Sequence, residues 1–367
     1  MKRLLFILSI CLFVFTCVDY TQAKTTVCYV DYDPRFNKGK VGKNNDRYDG
    51  LNFAYEELKT KNSLKINLKF LKSNYHTSLI ENLDLAKKEE CHVLTGFNTS
   101  KESLIVGPWL KENKLIGISP TATAGQIQNY YPYLLTNMAK DTSYASSVES
   151  FLIKKDIKHI YIIENKESIY STTFSKLYKN NLSKKFNIQF INAKAGSELD
   201  SLLVQKIIST SNVAVLFTEY MHYSLPIIHQ FKTKKLFINR NKVLIIGSPE
   251  WPISDSYKIH SDYFNDFCCS VAPIIWSHEI ADDRDFVRNF KNKYKRLPLP
   301  KVAFSYDIIM RVNSCSTNKN EFDQEKFHEC LLKTKKIDGI VGEYTFSNGS
   351  SHPKVKIRMI NLVKHEL

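Results

Sequence analysis

Several chemistries are closed to this chain by what it lacks. A serine hydrolase on an α/β sheet needs a Gly-x-Ser-x-Gly elbow to lift its nucleophile clear of the strand, and none occurs. No GxxxxGKS or GxxxxGKT loop is present to cradle phosphates, and the first strand-like run continues as TVCYVDYDPRFNKG, without GxGxxG. His222 and His229 share a helix-like stretch that lacks the HExxH pattern of zinc peptidases, so they read as structural histidines. There is no CxxC pair and no Cys/His spacing suited to zinc. Ser277-His278-Glu279 has the residue types of a triad, but neighbours in sequence point apart, which favours a surface position. Cys268-Cys269 has no base signal nearby and reads as packing or disulfide material. The expectation is a protein that is not an enzyme and carries no cofactor and no metal.

Long apolar runs are absent except at the start. Lys2 and Arg3 precede an apolar stretch from Leu4 to Val18, and Thr21-Gln22-Ala23 then offers small residues for cleavage. That run is too short for a membrane span and reads as a signal peptide over 1–23, with export to the periplasm. A lipoprotein reading through Cys17 is weaker, because Phe15 and Thr16 are poor residues before a lipidated cysteine. Removing 23 residues from 367 leaves 344, enough for two packed lobes. Two of the eight cysteines fall in the leader; the remaining six, Cys28, Cys91, Cys268, Cys269, Cys315 and Cys330, permit disulfides in an exported chain. Their connectivity is open, and buried free thiols are the alternative.

Acidic residues are outnumbered, 37 against 52 Lys and Arg, for a formal net charge of +15. The lysines come singly or in pairs such as Lys154-Lys155 and Lys184-Lys185, the pattern of solvated helix faces. No basic stripe with a nucleic-acid motif accompanies them, so no nucleic-acid partner is expected.

What the mature chain does have is a repeated strand–helix alternation. Strand-like Val27–Val30, helix-like Leu51–Lys61, alternating Leu64–Leu71, helix Ser78–Lys88, strand Cys91–Phe97, helix Ser103–Asn113 and strand Leu115–Ser119 form one series. Beyond Asp141 the pattern restarts with helix Ser143–Ile153, strand His159–Ile163, helix Ser171–Lys185 and strand Ile188–Asn192. Helix Leu199–Ser209, strand Val213–Thr218, helix Leu225–Phe231 and strand Val243–Gly247 complete it. Repeated βα units imply parallel sheets with right-handed crossovers, and two series imply two doubly wound α/β lobes. The last third is mainly helical, with late strands at 342–346 and 354–362, and completes those lobes without forming a third sheet.

Within the first series, Thr95–Ala124 is the most informative stretch. Asn98-Thr99-Ser100 and Ser119-Pro120-Thr121-Ala122-Thr123 each follow a buried-strand run, so both turns fall at the ligand edge of one sheet. Hydroxyls and free backbone N–H groups gathered there suit a carboxylate. The structural alternative is that Ser100 and Thr123 cap the helices that follow. Trp109 reads as a core residue, and Tyr306 and Asp307 as packing for the late helix.

The segments VGPWLKENKLIGISPTAT, YYPYLLTNMAKDTSYASSVESFL, HIYIIENKESIYSTTFSKLYKNN, VLFTEYMHYSLPIIHQFK, IIGSPEW, VAFSYDIIM and DGIVGEYTFSNGS occur in that order. Together they resemble the leucine-binding-protein-like group of type I periplasmic solute-binding proteins. The resemblance covers about Cys91 to Gly349. It implies two doubly wound lobes joined by a three-crossing hinge: 24–141 with 275–352, and 142–274 with 353–367. It further implies a monomer that closes on an amino acid or similar small polar ligand and presents it to the membrane permease of an ABC transporter. The alternative is a ligand-sensing module of the same fold that signals to a partner protein. By the same resemblance, Ser100 and Thr123 hold the ligand carboxylate, the Thr121 carbonyl and Glu250 take the ammonium, and Tyr170 closes from the second lobe. Glu219 and Tyr220 lie at the neighbouring strand end. The chain departs from the family in two places: Ser171 stands where glycine is usual, and the loop after the first strand is long and charged. That loop carries Tyr32, Arg35, Arg47 and Tyr48, which are within reach of the cleft.

Overall fold

The structure, a computed structural model, describes residues 24–30, 46–71, 79–233, 243–253, 270–276, 284–317, 322–333, 339–341 and 356–359. The leader, Tyr32 and Arg35, Cys268-Cys269, Ser277-His278-Glu279 and the late strand expected at 342–346 lie outside the described residues.

Short buried runs make the first sheet, with one partly exposed strand at its edge. β1 (Thr25–Val30), β2 (Ile66–Leu71), β3 (Val93–Thr95), β4 (Ile116–Ser119) and β5 (Leu134–Thr136) lie in the order β2-β1-β3-β4-β5. Every pairing is parallel, with Tyr29 beside Thr95 and Thr95 beside Ile118. Its crossover helices are α1 (Asp46–Thr60), α2 (Leu79–Lys88) and α3 (Ser100–Asn113). β1, β3, β4 and β5 are buried along their length and read as apolar runs, whereas edge strand β2 alternates and is partly exposed. The second sheet contains β6 (His159–Glu164), β7 (Asn187–Asn192), β8 (Val213–Phe217), β9 (Val243–Ile246), β10 (Ser270–Ile274) and β11 (Lys356–Met359). Its order is β11-β10-β9-β8-β6-β7, parallel except for β11, which runs antiparallel to β10. Helices α4 (Asp141–Lys154), α5 (Ile169–Leu182), α6 (Ser201–Ser209) and α7 (Met221–Thr233) belong to this series.

Two strands escaped the pattern reading. β5 is three residues long, and β10 contains Pro273, a residue that argues against a strand unless an edge or special pairing accommodates it. Pro273 pairs with Ile357 of the antiparallel edge strand.

The late helices return to the first lobe. α8 (Arg284–Tyr294), α9 (Pro300–Cys315) and α10 (Gln324–Lys333) follow β10, and α9 lies along α1. Arg296, between α8 and α9, clamps the first turn of α1 through Asp46 (2.5 Å) and Asp49 (2.6 Å). Tyr306 donates to Glu57 Oε2 at 3.0 Å, and Asp307 accepts from the Ile340 and Val341 amides, the packing roles expected of that pair. His328 on α10 meets the Pro132 carbonyl at 2.6 Å, just before β5. The chain therefore passes between lobes after β5, after β10 and before β11. Met138 and Ala139, on the first passage, belong to one buried cluster that includes Val27 and Val302 as well as Ile160 and Phe174.

Two disulfides resolve four of the cysteines. Cys28 of β1 joins Cys91 ahead of β3, and Cys315 of α9 joins Cys330 of α10. Both stay within one lobe and restrict the unfolded chain by closing loops of 63 and 15 residues. Trp109 is a correction: it is half-buried rather than central, and its indole donates to Asp84 Oδ1 at 3.3 Å.

Gly50 marks the closest approach of α1 to α9. A Cβ there meets the Val302 carbonyl inside the van der Waals limit, and backbone cannot rotate away as a side chain would. Gly50→Ala is expected to destabilise by about 1–3 kcal/mol through overpacking. Thermal unfolding at neutral pH checks this.

Candidate functional site

In each sheet the strand order reverses once, between β1 and β3 in the first and between β6 and β8 in the second. Ligands of open α/β sheets bind at such switch points, outside the carboxyl ends of the strands. The loop after β3 carries Asn98, Thr99 and Ser100. The segments after β6 and β8 carry Asn165 to Tyr170 and Thr218 to Tyr220. The candidate site combines the two edges.

On the first lobe, Thr99 is the helix cap. Its hydroxyl accepts from the Glu102 amide at 3.1 Å, and Glu102 Oε2 accepts in return from the Thr99 and Asn98 amides at 3.1 and 2.7 Å. This capping box satisfies the α3 terminus without Ser100. Ser100 Oγ instead accepts from the Thr123 and Ala124 amides at 3.3 and 3.2 Å, lacing the first hydroxyl turn to the second. Thr121 Oγ1 donates to the Asn98 carbonyl at 2.6 Å and closes a second link. The 3₁₀ turn after Thr123, Gly125–Tyr130, has Ala124 at its N-cap and no side-chain cap. Neither Ser100 nor Thr123 is the N-cap of the helix that follows it. Gly96 makes the approach possible: its φ of 112° belongs to glycine, and a Cβ there collides with the Val30 backbone.

Arg47, in the first turn of α1, reaches this shelf from the charged loop. Its Nη2 donates to Thr121 Oγ1 at 3.4 Å. Tyr48 turns the other way and packs on Phe70 at 4.2 Å.

On the second lobe, Tyr170 and Tyr220 form a stacked pair, with centroids 4.7 Å apart and planes 20° from parallel. Tyr170 is half-buried, and its hydroxyl faces Ser248. Burial drives the Tyr170 phenol far above its ordinary range; Ser248 opposes the shift, while Glu250, Asp141 and Tyr220 add to it. Tyr220 is raised in the same way, first by burial and then by Glu250, Glu219 and Tyr223. The charge of Glu250 thus acts on both phenols. Ser171 explains the missing glycine. It is wholly buried, bonds Thr218 Oγ1 at 2.6 Å and accepts from the Asn165 amide at 2.8 Å, tying the start of α5 to the ends of β6 and β8.

Glu219 sits within the scaffold rather than facing the first lobe with its charge. It is 6% exposed, Oε2 accepts from Asn165 Nδ2 at 3.1 Å, and Oε1 accepts from the Tyr220 amide at 2.9 Å. Its carbonyl accepts from the indole of Trp251 at 3.0 Å. Both carboxylate oxygens brace the strand end that presents Tyr220. His222 stacks beside Tyr220 at 6.0 Å, in keeping with a structural histidine.

The residue that the sequence did not single out is Asp141, at the first passage between lobes and the first residue of α4. It is 8% exposed, its carboxyl faces the Thr123 hydroxyl, and its Oδ1 has no hydrogen-bond partner. Desolvation pushes it up to about 7, against a smaller lowering from Thr123. Tyr144, Tyr170 and Tyr178 all sense its charge. In sequence an acid opening a helix looks like an ordinary dipole partner, so no local signal separates Asp141 from a surface residue. Among the described residues no group of three or more His, Cys, Asp or Glu is arranged to hold a metal ion.

No family model and no curated protein matches the chain by sequence. Solved structures match by fold. The leucine-binding protein of Thermotoga maritima is similar with a TM-score of 0.72 at 18% identity, covering 92% of this chain and 96% of that one. A branched-chain amino acid transporter substrate-binding protein of Streptococcus pneumoniae, in complex with isoleucine, gives 0.73 at 15% identity over 92% and 97%. An ABC transporter solute-binding protein of R. palustris, in complex with benzoate, gives 0.70 at 13% identity over 92% and 94%. The architecture expected from the sequence is thus that of the leucine-binding-protein-like type I binding proteins.

Asp141 makes stability depend on pH in a direction opposite to that of most carboxylates. In the folded chain it stays protonated to about 7, whereas unfolded it ionises near 3.8. Its contribution is fully present below the unfolded value and is lost as pH rises through the folded one. The stability of wild type relative to Asp141→Asn is expected to fall by on the order of 2–4 kcal/mol between those limits. Urea titrations across that range test it; parallel curves for the two proteins contradict it.

Proposed function

We propose that this chain is an exported, periplasmic solute-binding protein that captures an amino acid or similar small polar ligand between two lobes and presents it to an ABC permease, without turnover. The observation that carries the reading is a laced hydroxyl shelf at one switch point and an acid-flanked tyrosine pair at the other. Their chemistries are complementary to the two ends of an α-amino acid. In this reading Ser100 donates its hydroxyl proton to the carboxylate, to which Thr123 adds its hydroxyl and amide. The Thr121 carbonyl and Glu250 take the ammonium, with a charge-assisted bond contributing about 1.5–3 kcal/mol. Tyr170 and Tyr220 cover the ligand from the second lobe, and Glu219 positions Tyr220. The lobe boundaries proposed are 24–141 with 275–352, and 142–274 with 353–367, behind a leader over 1–23.

Binding would couple to closure because the contacts come from both lobes, so the ligand stabilises the form in which they meet. A second ligand class is favoured by one observation: the Tyr170–Tyr220 stack offers a flat apolar face, and the R. palustris protein of the same fold was solved with benzoate. Arg47 beside Thr121 would suit the acid group of such a ligand.

A thermal-shift panel of amino acids, amides and aromatic acids on the mature protein tests the reading. A ligand at a hundred times its Kd adds about 2.7 kcal/mol of stability. No shift with any amino acid sinks the amino-acid proposal. With a binder in hand, Ser100→Ala combined with Thr123→Ala is expected to weaken it by about 3–6 kcal/mol, two lost bonds to a charged group. Calorimetric titration measures this, and unchanged affinity removes the shelf from the site.

A further inference from the structure

We propose that the outer edge of the second sheet is a docking surface for a second copy of this chain: β7 of one protomer pairs antiparallel with β7 of its partner, about a two-fold axis at Gln189. The inference is independent of the ligand reading, and it sets a dimer against the monomer that the family resemblance implies. β7 is the last strand of its sheet and is bonded on one side only, to β6. The Asn187 amide donates to the Lys158 carbonyl at 3.0 Å, and the Ala193 amide to the Glu164 carbonyl at 2.8 Å. Backbone groups alternate in direction along a strand, so the odd-numbered residues bond β6 and Ile188, Phe190 and Asn192 turn theirs outward. No residue of the candidate ligand site lies on β7.

Free edges invite pairing, and proteins blunt them with charge, proline or shortness. The other three sheet edges are blunted. β2 carries Lys69, paired with Glu89; β5 is three residues long; β11 contains Lys356 and Arg358. β7, Asn-Ile-Gln-Phe-Ile-Asn, runs for six residues without charge, proline or glycine. Its Phe190 is 36% exposed, and among the described residues it is the one large exposed hydrophobic on a strand. Ile188 packs against the cluster that holds Phe174 and Tyr178 of α5, and Phe190 shares its face by alternation.

The chemistry of the strand selects the occupant. An uncharged edge offers nothing to a charged partner, but it complements itself. In an antiparallel pair, outward-bonding residues must meet outward-bonding residues. A two-fold axis at Gln189 then sets Ile188 opposite the partner's Phe190 and Phe190 opposite the partner's Ile188, each facing pair exchanging both of its backbone bonds. Aromatic residues and β-branched residues are favourable cross-strand neighbours. On the opposite face the two Gln189 side chains meet at the axis, where each amide has a donor and an acceptor for the other. An axis at Phe190 would instead set Ile188 against Asn192, a poorer match. One strand against one is a small contact beside the roughly 1,600 Å² of a standard interface, and a formal charge of +15 repels its copy. The dimer is therefore weak, and salt promotes it.

Sedimentation velocity of the mature protein tests this. Wild type is expected to be monomeric at about 1 μM and partly dimeric at about 500 μM, with more dimer as salt screens the repulsion. Phe190→Lys, at a position already exposed, is expected to weaken the dimer roughly tenfold or more while leaving thermal unfolding unchanged. A second variant reads the register directly. A non-hydrogen-bonded pair holds its Cα atoms about 4.5 Å apart, within the span of a disulfide. With oxidised glutathione, Gln189→Cys is expected to link two chains beyond any linking seen in wild type. Asn187→Cys is not, because Asn187 falls opposite the partner's Ile191. A wild type that is monomeric at every concentration, with no link through position 189, leaves the edge to a strand of another protein and overturns the proposal. A dimer that withstands Phe190→Lys overturns it too, since the contact then lies elsewhere.

Discussion

The bond on which the site depends is the acceptance of the Thr123 and Ala124 amides by Ser100 Oγ. It joins two turns that leave neighbouring strands, and it exists because Thr99 and Glu102 cap α3 without help from Ser100. Had Ser100 been the cap, its oxygen would face its own helix and the second turn would be untethered. The shelf is held from beneath as well: Ser119 Oγ donates to the Phe97 carbonyl at 2.8 Å, and Thr136 Oγ1 to the Ala122 carbonyl at 2.5 Å. Hydroxyls therefore serve twice here, those below fixing the backbone and those above presenting polar atoms.

Around the two edges, three acids occupy three physical situations. Glu219 has both oxygens bonded and acts as a brace. Glu250 acts through its charge, raising both phenols of the tyrosine pair. Asp141 is desolvated and lacks a partner for one oxygen. Residue type is the same or nearly so in all three; hydrogen bonding and exposure separate scaffold from candidate ligand contact. The Ser171–Thr218 bond plays the same organising part on this lobe that Ser100 plays on the other, fixing where α5 begins and hence where Tyr170 stands.

The rest of the first lobe keeps α1 in place. Arg296 holds Asp46 and Asp49 with little exposure, and α9 lies close enough over Gly50 that no side chain fits. Since Arg47 is in that same turn, the clamp also sets where its guanidinium meets Thr121.

Periodicity alone revealed two sheets of parallel strands, the order of their units and the placing of both hydroxyl turns at one sheet edge, because burial on both faces forces apolar runs; the antiparallel direction of β11 left no such mark. Motif order also singled out Tyr170 and Glu250 for the second lobe, with Glu219 and Tyr220 at a neighbouring strand end. The sequence could not find β5, which is too short, or β10, whose proline argues against a strand. Nor could it tell Glu219 from Glu250, or Thr99 from Ser100 as the cap, since those differ only in which partner each atom meets. Three things came from the folded chain: the burial of Asp141 at the first passage between lobes, the contact of Arg47 with Thr121, and the pairing of Cys28 with Cys91 and of Cys315 with Cys330. Each of these depends on residues far apart in the chain meeting in space, and local pattern carries no record of such meetings.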